Sequence, residues 1–152
     1  MMQLQSYAEG AWITGSGNAR PIFHAVTGEK LGDVSSEGLD FKNMHSYARR
    51  RGGPALRGMT FHERGRILKE LALHLSKHKK ELYQLCPASG ATRSDAWFDI
   101  DGGIGTLFVY ASKGRRDFPN ETFYLDGVAE QLSKGNTFVG RHLCVPLRGV
   151  AL

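Results

Sequence analysis

A chain of 152 residues with 41% hydrophobic and 23% charged side chains has the size of one ordinary domain and a composition that excludes disorder. Its 19 glycines follow no three-residue period, so no collagen-like helix forms, and no run of 18 apolar residues offers a membrane span. A net charge of +5, from 20 basic and 15 acidic residues, permits an anionic partner without demanding one.

The opening Met1-Met2-Gln3-Leu4-Gln5-Ser6 has neither a basic region nor an apolar run, so it is no signal peptide, and a cytoplasmic protein is expected. Cys86 and Cys144, far apart and without C-x-x-C spacing, read as reduced thiols. The sequon Asn120-Glu121-Thr122 then carries no glycan. From Tyr7 to Val34 turn signals crowd the chain at Gly10, Gly15-Ser16-Gly17-Asn18, Pro21 and Thr27-Gly28-Glu29. Between them, Ala11–Thr14 and Pro21–Val26 predict short antiparallel strands, with Trp12 as an apolar anchor.

Helical patterns follow. Asp40 is an N-cap for a helix with Phe41, Met44 and Ala48 on one face, and Gly52-Gly53 is its stop. Thr60 and Glu63 form a capping box. Beyond them Leu68, Leu71, Leu75, Leu82 and Leu85 make one stripe, which predicts a helix from Phe61 to Leu85, about 37 Å long. A third helix is expected over Asp95–Ser112, with Trp97, Ile100, Ile104, Leu107, Phe108 and Ala111 on its apolar face. Gly102, Gly103 and Gly105 are costly inside a helix, by roughly 1 kcal/mol each, which suggests close backbone packing there. Gln131-Leu132-Ser133, Phe138-Val139 and His142–Val145 alternate as strands of a second hairpin. Gly149-Val150-Ala151-Leu152 reads as the start of a buried strand, and a chain that stops there is expected to be truncated.

None of the chemical motifs forms a complete active site. Gly103-Ile104-Gly105 resembles the opening of a dinucleotide loop, but Phe108 stands where a third glycine belongs and the run sits inside a helix, so packing is the better reading. Gly15-Ser16-Gly17 is a turn. His74 and His78 share a helix face, yet no third ligand accompanies them and Lys77, Lys79 and Lys80 would repel a cation. Asp95 and Asp99 share a face, with Asp101 elsewhere, and suit a helix N-terminus. Arg49-Arg50-Arg51 and Arg115-Arg116 read as solvated faces, not as a nucleic-acid grip. Cys86 and Cys144 read as structural thiols.

Taken in order, the pieces resemble the N-terminal part of the aldehyde dehydrogenase superfamily. The cues are Gly10-x-Trp12-x-x-Gly15-x-Gly17, Thr27-Gly28-Glu29, Glu63-Arg64 opening the long helix, Ser89-Gly90-Ala91-Thr92 after it, and Gly149-Val150. Within the superfamily, Ser35-Ser36-Glu37-Gly38-Leu39-Asp40, Ala55-Leu56-Arg57-Gly58-Met59-Thr60-Phe61, Ser89-Gly90-Ala91-Thr92-Arg93, Asp99–Leu107 and Leu132-Ser133-Lys134 are similar to the bifunctional branch of phenylacetate degradation. That branch joins an aldehyde dehydrogenase to a hydratase-type domain that opens an oxepin-CoA ring.

The resemblance implies an α/β fold, here the incomplete N-terminal portion. It would comprise a strand-rich arm at 1–35, a helical part at 36–118, and a second arm with the first sheet strand at 119–152. On this resemblance the catalytic and hydratase domains would lie outside these residues. The longer enzyme would use NADP or NAD to oxidise a CoA-linked semialdehyde, through a cysteine thiolate, hydride transfer and a glutamate-activated water. In the family those residues lie further along, so the resemblance implies no catalytic, cofactor-binding or metal residue here and no cofactor is expected for the chain alone. The strand arms would assemble a homo-oligomer, without membrane or nucleic acid. Two other classes stand beside this fragment reading: a non-catalytic interaction module pairing with a longer dehydrogenase, and a small basic nucleic-acid binder.

Overall fold

The computed structural model describes residues 2–131, 134–135 and 139–144. The readings at Leu132, Ser133, Phe138, Val145 and 149–152 fall outside them. Five short strands open the chain: β1 (Met2–Gln3), β2 (Gln5–Ala8), β3 (Ala11–Thr14), β4 (Arg20–Phe23) and β5 (Lys30–Val34). β2 and β3 form an antiparallel hairpin, and β1, β5 and β4 a three-stranded sheet in that order. The strands expected at Ala11–Thr14 and from Pro21 do pair antiparallel, β3 with β2 and β4 with β5, while β1, which the sequence did not announce, runs parallel to β5 with Met2 opposite Gly32. β4 ends before Val26. The His24 ring nitrogen Nδ1 accepts from the N–H groups of Val26 and Thr27 at 3.2 and 3.3 Å, while Gly28 N–H donates to His24 C=O at 2.8 Å. A local side-chain turn thus outcompetes the strand ladder. Trp12 is no core anchor: it is 66% exposed and meets Tyr7 edge-on at 5.2 Å.

Gly15-Ser16-Gly17 is a turn, as its composition suggests, and it is also a docking point. Ser16 N–H donates to Glu37 C=O at 2.9 Å, Ser35 Oγ donates to Ser16 C=O at 3.1 Å, and Asn18 N–H reaches the Glu37 carboxylate at 2.9 Å. Gly17 has φ +77°, and a Cβ there would collide with that carboxylate. Only glycine satisfies both conditions.

Helix α1 (Phe41–Tyr47) starts at the foreseen cap, where Asp40 accepts from Asn43 N–H at 2.9 Å. Gly52-Gly53 does not end the helical path. The chain widens into a π turn over Ala48–Gly52 and continues as α2 (Gly53–Gly58), both glycines keeping right-handed φ of −65° and −59°. Pro54, with no N–H to give, stands in the first turn of α2, where none is needed. Glycine permits a left-handed stop but does not compel one.

α3 (Phe61–Lys77) carries both bonds of the capping box: Glu63 N–H to Thr60 Oγ1 at 3.1 Å and Thr60 N–H to Glu63 Oε2 at 2.8 Å. The expected single helix to Leu85 is broken at His78, which separates α4 (Lys79–Leu85). His78 N–H bonds back only three residues, to Leu75 C=O at 3.0 Å, and its ring holds the Glu81 carboxylate at 3.1 Å. α3 is therefore about 26 Å long. A 3₁₀ turn (Cys86–Ser89) leads to α5 (Arg93–Arg116), which begins two residues before the expected start and ends four after the expected end. Its own capping box joins Thr92 and Asp95.

The core lies where α3 crosses α5. Gly65 and Ala72 of α3 are buried there, with Ala96, Ile104 and Ala111 of α5. A Cβ on Gly65 would stand 2.9 Å from Ala111 C=O, and one on Gly114 would stand 3.4 Å from Phe61 C=O. The close approach expected at Gly102, Gly103 and Gly105 is made instead by this pair, since, apart from their chain neighbours and the backbone of α5 itself, no described residue lies within 4 Å of the positions a Cβ would take on those three. The leucine stripe flanks the contact: Leu68 and Leu75 are half-buried, while Leu71 is 44% and Leu85 68% exposed. Trp97, expected on the apolar face, is exposed as well.

The chain returning from α5 is fastened to the first turn of α3. Thr60 Oγ1 donates to Asn120 Oδ1 at 2.8 Å, Phe61 N–H to Glu121 C=O at 3.0 Å, and His62 Nε2 lies 2.9 Å from Phe118 C=O. Phe118 stacks on Phe61 at 4.8 Å and meets the edge of Tyr124 at 5.7 Å, while the Arg64 guanidinium covers the Phe61 ring at 4.5 Å. This fixes the root of an antiparallel ribbon, β6 (Tyr124–Gln131) and β7 (Val139–Cys144). The second hairpin is present, but its first strand starts at Tyr124 and not near Gln131.

Gly65→Val forces a branched side chain against a backbone carbonyl and is expected to cost about 1–3 kcal/mol. Gly105→Ala, in open space within a helix, is expected to raise stability by up to about 1 kcal/mol. Urea titration of the two variants checks the assignment, and the reverse order would contradict it. Thr60→Ala, which removes a cap and the Asn120 bond together, is expected to cost about 0.5–2 kcal/mol in the same titration.

Candidate functional site

Two places on the helical part gather chemistry. The first is a cleft of about 450 Å³ along α3 and the C-terminal half of α5, lined by Lys69, Phe108, Ala111, Ser112, Arg115 and Arg116. Its floor exists because Gly65 lets the helices approach, and Arg115 lies along that crossing, its Cγ 3.2 Å from where a Gly65 Cβ would stand. Arg116 is bound to Asp117 at 2.7 Å, and Lys113 reaches the same carboxylate at 3.2 Å. These bonds, Arg116 first, hold the Asp117 carboxyl below its ordinary range. Lys69 and Arg115 have no such acid among the described residues, so the cleft keeps two uncommitted cations above an apolar base. Such an arrangement attracts an anion and offers an apolar body a surface to lie on.

The second place is the junction of α4 and α5. Asp101 accepts from Lys79 Nζ and from Tyr83 Oη, the latter at 2.5 Å. The Lys79 ammonium, and then the Tyr83 hydroxyl, keep the Asp101 carboxyl below its ordinary value, while the bond to Asp101 pushes the Tyr83 phenol up. Arg93, Ser94 and Trp97 complete an open cleft of about 590 Å³ around them. The cluster is a clamp: it ties α4, just past the helix break at His78, to α5. Its charges neutralise one another, which leaves no free base.

The other residues singled out from the sequence are dispersed. Asp95 caps α5, and its bonds to the Thr92 hydroxyl and N–H lower its carboxyl pKa. The His74 and His78 rings lie 4.7 Å apart, but Glu81 occupies His78 Nδ1, and no group of three ligating side chains occurs among the described residues. Arg49-Arg50-Arg51 are exposed on the π turn. Cys86 is half-buried and gives its thiol to Leu82 C=O at 3.5 Å. Cys144 is exposed, against the expectation of a packed structural thiol. Gly103-Ile104-Gly105 lies deep inside α5, away from the free N–H groups of its first turn, so the described residues do not fit a dinucleotide cradle. Asp101 was the residue that sequence reasoning passed over. Its partners are 22 and 18 residues away, and no local pattern announces such a contact. No helix among the described residues is long and apolar enough to cross a membrane.

Asp101 is expected to contribute stability fully above the unfolded carboxyl pKa of about 3.9 and to lose it as pH falls through the lower folded value. The difference in urea midpoint between the native chain and Asp101→Asn should therefore be constant from about pH 8 to 5 and shrink below about pH 4. A difference that grew on acidification would contradict the clamp.

The profile of the aldehyde dehydrogenase family matches residues 12–140, from the first hairpin to the β6–β7 ribbon. The chain is also 38% identical over 152 residues to a 3,4-dehydroadipyl-CoA semialdehyde dehydrogenase of Aromatoleum evansii. That alignment takes in 99% of this chain and 29% of the relative, so the chain spans less than a third of that protein's length. The strand arm, the crossed helices and the ribbon are thus those of one N-terminal α/β portion, and the chain belongs to the aldehyde dehydrogenase family.

Proposed function

We propose that the chain is the N-terminal segment of an NAD(P)-dependent dehydrogenase that oxidises a CoA-linked semialdehyde to the acid in the catabolism of aromatic compounds such as phenylacetate, and that it is not catalytic alone. The observation that carries this reading is the 38% identity, along almost the whole chain, to a relative named for such a substrate. The cysteine, the glutamate and the cofactor-phosphate segment would be supplied by chain beyond this segment. In that division, 1–35 is a strand arm, 36–118 the helical part and 119–152 the second arm leading into the sheet. The protein works in the cytoplasm, and its arms join copies of the longer enzyme into a homo-oligomer. A hydratase-type domain in the longer protein is compatible with this reading.

The cleft at Lys69 and Arg115 fits the same substrate class. Coenzyme A carries several phosphate charges, and two uncommitted cations beside the apolar Phe108 and Ala111 suit its anionic end. A second reading, an interaction module that pairs with a longer dehydrogenase, draws on the β6–β7 ribbon. Two strands alone are marginal in water, and Val128 and Leu143 of this ribbon are 80% and 59% exposed.

Co-production of the chain with the part of the Aromatoleum evansii enzyme outside the matched 29% tests the main reading. NAD(P)H formation from the CoA-linked semialdehyde, absent with either piece alone, is the expected result. A stable complex without turnover would favour the interaction module. Separately, calorimetric titration of the chain with free CoA should show binding that weakens with salt. The Lys69→Glu, Arg115→Glu double variant should weaken it at least tenfold, about 1.4 kcal/mol; unchanged affinity would remove the cleft from the reading.

A further inference from the structure

We draw no further inference here: the strongest candidate, the open face of α5 formed by Phe98, Gly102, Gly105 and Val109, is an unpartnered apolar stripe, and nothing in the structure shows what covers it.

Discussion

The close approach of α5 to Gly65, so near that a Cβ there would stand 2.9 Å from the carbonyl oxygen of Ala111, sets the distance between α3 and α5, and the helical part is built around that distance. A side chain at position 65 would hold the helices apart. Without one, alanines at 72, 96 and 111 fill the seam and Ile104 is the largest buried group near it. A seam made of small residues is gained from backbone approach and dispersion more than from area removed from water. It therefore tolerates little error in position. The capping boxes at Thr60 and Thr92 and the fastening of Phe118–Glu121 to the first turn of α3 supply that positional control at the helix starts.

The same geometry decides where chemistry collects. Because α5 meets α3 close to its own C-terminal end, its basic last turns come alongside Lys69, and the C-terminal end of a helix favours cations there. Because α3 breaks at His78, α4 turns enough for Lys79 and Tyr83 to reach Asp101. Both clusters are consequences of helix ends. One keeps its charges open to a partner, and the other spends them on holding two helices together.

Local chemistry was legible in the sequence, and distant chemistry was not. The Asp40 cap, the Thr60–Glu63 box, β3 and the two long helices follow from spacing and capping residues, whose partners lie within four positions. The family was legible too, from glycine and turn motifs taken in order. What failed required knowledge of neighbours. Gly102, Gly103 and Gly105 looked like the close contact because they are clustered, but contact belongs to Gly65, a single glycine in a leucine-rich helix, and to Gly114 near the end of α5. Trp12 looked like an anchor because tryptophan is usually covered, yet it stays 66% exposed and meets the ring of Tyr7 across its own hairpin. The His78 break was hidden because the leucine spacing continues through it, and the Asp101 clamp because its partners sit on another helix.

The parallel seating of β1 beside β5 has a consequence for how the arm comes to exist. Gly32, the neighbour of Met2, is made thirty residues after it. The first strand must wait for a partner, whereas the β2–β3 hairpin closes on itself at once. At synthesis rates of about 5–20 residues per second, that wait lasts on the order of seconds. β1 is thus made before its partner and seated only once β5 has emerged, so this edge of the sheet closes later than the hairpin beside it.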